Sequence, residues 1–267
     1  MNFSVLISVY DKEKPKFLDA CLASIKNQTL PPTEVILVED GPISDALISI
    51  IDSYRQHLNI VSVKISINKG LANALNVGID HCSHDLVARM DSDDFCYPTR
   101  FQVQVTYMLN NPDVACMSCF VEEWDDSLSK MLSVRPVPIS KQDVFSFIRF
   151  ASPINHPACI YRKSSVLDVG CYPSIYPEDL YLWANLLAKG YVITNLPDRL
   201  MKMRAGSSMI KRRGLGFFWG EARYYLHLYR LGLTPLYLFI VVILLRFILR
   251  LSPPFIRDLM YRNFHKC

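Results

Sequence analysis

At 267 residues, 51% of them hydrophobic and 20% charged, the chain can bury one sizeable core; it has none of the low-complexity tracts of a disordered chain and no repeat at a solenoid period. Its formal charge of +4 is unevenly split, because residues 199–266 hold 13 Lys/Arg against Glu221 and Asp258, a net +11 that leaves −7 on residues 1–198. An acidic body argues against nucleic acid as partner, whereas the basic tail suits substrate phosphates or acidic lipid headgroups.

Met1-Asn2-Phe3-Ser4 has neither the basic start nor the apolar core of a signal peptide. The eight cysteines (Cys21, Cys82, Cys96, Cys116, Cys119, Cys159, Cys171, Cys267) are scattered, so a reducing, cytoplasmic setting is expected. Cys116-Met117-Ser118-Cys119 forms a CxxC in an apolar stretch with no second pair to complete a zinc site, and core packing is its reading.

Taken in order, residues 4–9 read as a buried strand, and Pro15 opens a helix to about residue 27. Strands follow at 34–39, 60–67, 85–90 and 114–121, with helices at 46–57, 71–81 and 97–110 between them. This alternation predicts an α/β fold, a mostly parallel central sheet flanked by helices and joined by right-handed crossovers. Ligands of such sheets bind at the carboxyl ends of the strands. Four polar clusters fall there: residues 10–14, Glu39-Asp40-Gly41, Asn68-Lys69-Gly70 and residues 91–94. From 122 to 150 the pattern weakens, with Pro136 and Pro138, and marks a change from a first half (1–121) to a second (122–210). A short strand at 157–161, a helix at 179–189 and a strand at 191–196 complete the body.

The tail, 211–267, is helical, basic and apolar. Its greasiest part, 233–251, has an uninterrupted apolar core of only 236–245, against the ~20 residues a bilayer requires. Arg246 and Arg250 share a helix face, and Pro253-Pro254 ends the helix. A helix lying in the membrane surface, arginines at headgroup level, is the expectation; a helix packed on the domain and a true span are the alternatives.

Asp91-Ser92-Asp93-Asp94 follows a predicted strand directly. Three carboxylates in four residues repel one another unless a cation or hydrogen bonds compensate, and hard oxygens suit Mg2+ or Mn2+ beside substrate phosphates. A solvated acidic turn, or an aspartate capping the next helix, is the other reading. Asp40 reaches the same edge on its own strand, where it can accept hydrogen bonds from a base or ribose, and Gly41 lets the chain turn beneath a ligand; turn chemistry alone also explains Asp-Gly-Pro.

The chain resembles glycosyltransferase family 2, whose members have the GT-A fold. The matching text is Ser4-Val5-Leu6-Ile7-Ser8-Val9-Tyr10, Val38-Glu39-Asp40-Gly41, Asn68-Lys69-Gly70-Leu71 with Asn76, Ala88-Arg89-Met90-Asp91-Ser92-Asp93-Asp94, Asn155-His156-Pro157 and Pro177-Glu178-Asp179-Leu180-Tyr181-Leu182-Trp183. It spans roughly residues 3–205 and is nearest to bacterial enzymes that build O-antigens and other surface polysaccharides.

The resemblance implies roles. Asp40 would bind the uracil or ribose of a UDP-sugar, and Ser8, Val9, Tyr10, Asn68, Lys69, Asn76, Arg89, Asp91 and Ser92 complete the nucleotide-sugar set. Asp93, with Asp91, would ligate Mn2+ or Mg2+ at the diphosphate. Asp179 would deprotonate the acceptor hydroxyl as it attacks the anomeric carbon with inversion. Many relatives carry an acidic residue two positions after this base, where Tyr181 stands here, and Glu178 is the alternative base. His156 and Trp183 would face a lipid-diphosphate-linked saccharide acceptor, and Arg204, Arg212 and Arg213 the diphosphate of the donor or of that acceptor, with plain surface charge as the other reading of these arginines. The implied location is the cytoplasmic side of a bacterial inner membrane. A sugar-phosphate nucleotidyltransferase is disfavoured because residues 10–14 hold no glycine to cradle a triphosphate. A non-catalytic sugar-binding subunit is disfavoured because every expected carboxylate is present.

Overall fold

The computed structural model describes residues 1–205 and 215–251. Arg212, Arg213 and residues 252–267 lie outside the described residues, as does the side chain of Arg250.

Apolar β-branched runs form the strands, and amphipathic stretches between them form the helices. In chain order these are β1 (Ser4–Val9), α1 (Pro15–Lys26), β2 (Glu34–Asp40), α2 (Asp45–Tyr54), β3 (Ile60–Ile65), α3 (Leu71–His81), β4 (Leu86–Asp91), β5 (Phe95–Cys96), α4 (Arg100–Asn110) and β6 (Val114–Trp124). There follow β7 (Met131–Arg135), α5 (Lys141–Phe147), a 3-10 turn (His156–Ala158), β8 (Ile160–Arg162), α6 (Lys163–Asp168), α7 (Glu178–Ala188), β9 (Val192–Arg204), α8 (Leu215–Arg230) and α9 (Leu236–Leu251).

One sheet runs β3-β2-β1-β4-β8-β6-β9-β5, with β7 added on β6. β1, β2, β3, β4, β6 and β9 run one way; β5, β7 and β8 run against them. The sheet is therefore mixed but mostly parallel, as the alternation predicted. Parallel register sets the functional edge: Ser8 pairs with Val38 on one side and Asp91 on the other, while Asp40 pairs with Ile65. The ends of β1, β2 and β4 are thus level, and the loops that leave them share one rim.

Side chains alternate across a strand, so the two faces collect separate cores. Phe3, Val5, Ile7 and Val9 meet Leu18, Leu22 and Phe101 of α1 and α4. Leu6, Ile36 and Val38 meet Leu75 and Ile79 of α3, and that layer continues through Leu182 and Trp183 of α7 to Tyr224 and Leu228 of α8. Gly78 lets α3 lie close: a Cβ there would stand 2.3 Å from Leu6 Cδ1 and 2.8 Å from Val38 Cγ2. Cys116 and Cys119 are fully buried in the cores.

Short elements at 95–96, 131–135, 141–147 and 163–168 were not foreseen, and the expected boundary at 121/122 falls inside β6. β9 runs to Arg204 rather than to 196, because its pairing with β6 absorbs Pro197 and Asp198 through register shifts around Phe120. In place of a strand at 157–161, Pro157 sits in the 3-10 turn and the strand starts at Ile160.

α8 and α9 form a hairpin on the α7 face. Leu238, Phe239, Val242 and Ile243 of α9 pack inward, while Leu236, Tyr237, Ile240, Val241, Leu244 and Leu245 are exposed. Arg246 corrects the expectation for it: rather than reaching headgroup level, it turns onto the protein, 3.3 Å from Glu221 Oε1 and donating to Tyr225 Oη (3.1 Å). An apolar helix packed on one face can hold its guanidinium against a half-buried carboxylate at lower cost than in lipid. Among the described residues, no helix is long and apolar enough to cross a membrane.

Candidate active site

The rim begins where β2 ends. Gly41 takes φ +85, a left-handed conformation, and a Cβ on it would come within 2.8 Å of the Asn68 nitrogen. The tight turn lets the Asp40 carboxylate receive the Lys69 N–H (2.8 Å) and the Gly70 N–H (3.0 Å), while Asn68 Nδ2 donates to the Asp40 carbonyl (3.0 Å). Each carboxylate oxygen keeps a further lone pair for a ligand. Beside it lies a pocket of about 340 Å³ lined by Tyr10, Asp11, Lys12, Asp40, Gly41, Pro42 and Asn68. Tyr10 is exposed there and Ser8 half-buried, whereas the Val9 side chain is buried in the core, which leaves only its backbone for a ligand. A more open depression around Tyr107, Asn110 and Asp198 contains none of the rim carboxylates.

Next along the rim, one carboxylate oxygen each from Asp91, Asp93 and Asp94 lies within 4.8 Å of the others. Asp94 is enclosed: its Oδ1 accepts the Arg204 N–H at 2.9 Å and its Oδ2 is buried without a partner. Ser92 Oγ donates to Glu13 Oε2 at 2.5 Å, which folds the loop after β1 over the cluster. Burial first, then Asp91 and Glu13, push the Asp93 carboxyl up to about 7. Burial, then Asp93 and Asp91, push Asp94 well above the ordinary carboxylate range. A crowded set of hard oxygens, one of them orphaned, fits a divalent cation. The capping alternative finds no support, since α4 begins after Thr99 and neither aspartate caps it.

Arg204 stands on this loop. Its guanidinium contacts the Asp93 carbonyl, donates to the Asp126 carbonyl (3.0 Å) and lies over the Phe17 ring, 4.1 Å from its centroid. Arg89 is buried at the end of β4 and contacts Asp91 Oδ1, with its Nε and Nη1 unpartnered.

The third segment is the start of α7. Glu178 and Asp179 occupy its first turn, after a cis Tyr176-Pro177 bond. Burial raises Asp179, against the Leu180 N–H and the charges of Arg89 and Arg135. Burial also raises Glu178, and Asp179 adds to this. His156 Nδ1 stands 3.9 Å from Asp179 Oδ2. Trp183 departs from the acceptor-facing expectation: its side chain is fully buried and packs edge-on against His156 at 5.7 Å. Asn76, expected at the nucleotide, instead spends its amide on the backbone of Tyr172. Tyr181 is buried between Tyr224 (5.5 Å) and His227 (4.8 Å) of α8, which explains why an apolar ring replaces a carboxylate there.

Sequence reasoning missed three contributors. Asp94 was visible in the Asp91–Asp94 run. Glu13 lay in the polar 10–14 loop already expected at this edge, and only its bond to Ser92 was missed; Arg135 carried no signal, because only the fold brings β7 here.

The glycosyl transferase family 2 model matches residues 4–170. The amylovoran biosynthesis glycosyltransferase AmsE of Erwinia amylovora is 39% identical over 266 residues, covering 99% of this chain and 99% of that protein. The UDP-Gal:alpha-D-GlcNAc-diphosphoundecaprenol beta-1,3-galactosyltransferase of Escherichia coli is 37% identical over 264 residues, 98% of this chain and 96% of that one. Among solved structures, S. aureus TarS superposes with a TM-score of 0.65 at 20% identity, over 85% of this chain and 40% of TarS.

Proposed function

The chain belongs to glycosyl transferase family 2 and is a glycosyltransferase of GT-A fold, and on that premise we propose that it moves a hexose from a UDP-sugar to a hydroxyl of a lipid-diphosphate-linked saccharide during O-antigen or surface-polysaccharide assembly. The observation that supports this reading is the rim that Asp40 shares with the Asp91-Asp93-Asp94 cluster, with Arg89 near enough for its charge to act with both Asp91 and Asp179. The name of the E. coli relative favours galactose as the sugar and a GlcNAc-diphospho-lipid as acceptor.

Tyr10, Asp40 and Asn68 line the pocket for the uracil and ribose. Asp91, Asp93 and Asp94 would hold Mg2+ or Mn2+, which offsets charge on the departing diphosphate when bound. Arg204 stiffens the loop that carries these carboxylates. Asp179 takes the proton of the acceptor hydroxyl while that oxygen attacks the anomeric carbon, opposite the departing UDP, so the configuration inverts. Its depressed acidity suits a base that must hold that proton. The exposed face of α9 would lie on the cytoplasmic surface of the membrane that carries the lipid acceptor.

Purified protein incubated with a UDP-sugar panel and a synthetic GlcNAc-diphospho-lipid should form product with UDP-galactose and divalent metal, with the linkage read by NMR. Absence of product with every UDP-sugar, alongside turnover of another nucleotide sugar, would overturn the donor assignment.

A further inference from the structure

We propose that His156 is a positioning residue for the Asp179 carboxylate, held in one tautomer by the Tyr172 hydroxyl; this rests on Asp179 being the base. The turn that carries the histidine is anchored to the sheet. The Asn155 N–H donates to Ser118 Oγ (3.1 Å), and Asn155 Nδ2 donates to the carbonyls of Cys119 (2.9 Å) and Arg135 (3.1 Å). The imidazole is buried between Tyr172, at 5.3 Å, and Trp183.

Tyr172 is fixed from α3. Its N–H donates to Asn76 Oδ1 (2.9 Å) and its carbonyl accepts from Asn76 Nδ2 (2.7 Å). Its hydroxyl meets His156 Nε2 at 3.0 Å, and the other ring nitrogen, Nδ1, faces Asp179 Oδ2 at 3.9 Å. Residues 76, 172 and 156, from three separate segments, thus form one chain of contacts that ends at the Asp179 carboxylate.

The chemistry selects the tautomer. Burial, then the charge of Arg89, hold the imidazole well below its usual range, so the ring is neutral with a single N–H. When the phenol donates to Nε2, that hydrogen sits on Nδ1 and points at the carboxylate. The opposite tautomer sets a nitrogen lone pair against a carboxylate oxygen. At 3.9 Å the N–H is an oriented dipole rather than a full hydrogen bond, and it steers the carboxylate without moving a proton. Among the described residues, Arg89 on β4, Arg135 on β7, Glu178 on α7 and Tyr224 on α8 are the other ionisable groups that act on or with Asp179.

The test uses full-length His156→Ala, His156→Asn and Tyr172→Phe with saturating UDP-sugar and lipid acceptor. The asparagine keeps a donor near the Nδ1 position, and the phenylalanine keeps the ring packing while deleting only the hydroxyl. His156→Ala should lower kcat by about 10- to 100-fold with donor KM within about twofold. Without the N–H the carboxylate binds its proton more tightly, so the acidic limb of the kcat/KM profile should move to higher pH. His156→Asn should recover at least about threefold of the loss, and Tyr172→Phe should lower kcat about 3- to 10-fold with the same direction of shift. An unmoved pH limb in His156→Ala and Tyr172→Phe, each folded by circular dichroism, would overturn the proposal. Asp179→Asn separates the two levels. If it keeps near-native turnover, the base assignment itself fails; if it is inactive while His156→Ala is fully active, only the positioning role fails.

Discussion

The buried guanidinium of Arg89 contacts Asp91 Oδ1, and the same charge acts on Asp179 across the rim. The two residues are two apart on β4, so they point to the same side of the strand. One cation thereby pairs with the metal-facing carboxylate and favours the ionised form of the base. Arg89→Met should lower kcat/KM at least about 100-fold, equivalent to about 2.7 kcal/mol. It should also destabilise the fold by about 1–3 kcal/mol, because Asp91 is left without its partner. Arg89→Lys keeps the charge but loses the fork, and should fall between the two. Steady-state kinetics and thermal unfolding of the pair check this; an active, wild-type-stable Arg89→Met removes Arg89 from the site.

The Asp93 carboxyl predicts a pH dependence with a definite sign. In the metal-free protein it is pushed up to about 7, above its value in an unfolded chain. Between those two values the native state holds more protons than the unfolded one, so native stability falls as pH rises. Chelated protein should therefore lose melting temperature from about pH 5 to about pH 7.5, and Asp93→Asn should lose less. Added Mn2+ should raise the melting point more at the upper end, by up to about 2.7 kcal/mol of stability at 100 times its Kd. Turnover in excess chelator should drop at least about 1000-fold. Melting temperatures that rise with pH in the chelated protein contradict the carboxylate crowding.

Glu178 and Asp179 can be told apart directly. Both are raised by burial, but only Asp179 faces His156, Arg89 and Arg135 together. Asp179→Asn should cost about 10²- to 10⁴-fold in kcat, the range for losing a general base. Glu178→Gln should stay within about tenfold, acting through the field at its neighbour. Single-turnover measurements with bound donor read the chemical step; the reverse ranking moves the base to Glu178.

These residues also show how far the sequence could be read. Short apolar runs at 4–9, 34–39 and 85–90 announced parallel strands, and parallel register then fixed Asp40 and Asp91 on one rim. The acidic run and the Glu178-Asp179 pair were visible because chemistry concentrates unlike its surroundings. Trp183, Asn76 and Arg246 were misplaced for the opposite reason. Whether an indole, amide or guanidinium faces ligand or core depends on which segment packs over it, and Tyr172, His156 and Glu221 come from distant positions. Elements 131–135 and 141–147 escaped because Pro136 and Pro138 broke the periodicity that would have announced them.

The outer face of α9 supplies the last prediction. Leu236, Tyr237, Ile240, Val241, Leu244 and Leu245 are all exposed on a helix whose other face is packed by Val242, Phe239 and Ile243. A water-facing row of this size is costly unless something covers it. The chain beyond is basic, with Arg257, Arg262 and Lys266 against Asp258, which matches an anionic bilayer better than a second basic copy. Removing the whole hairpin would take Tyr224, Tyr225 and Leu228 out of the core, so point changes are the cleaner probe. Burying an exposed leucine is worth about 1.5–3 kcal/mol, and Leu244→Glu with Leu245→Glu should therefore weaken vesicle binding by about 100-fold or more. The melting temperature should stay within about 2 °C, since neither side chain belongs to the core. Flotation with vesicles containing anionic lipid reads the first quantity, and raised salt should weaken what remains. If flotation is unchanged while sedimentation shows a dimer dissolving into monomers, the face covers a second copy and the membrane assignment is wrong.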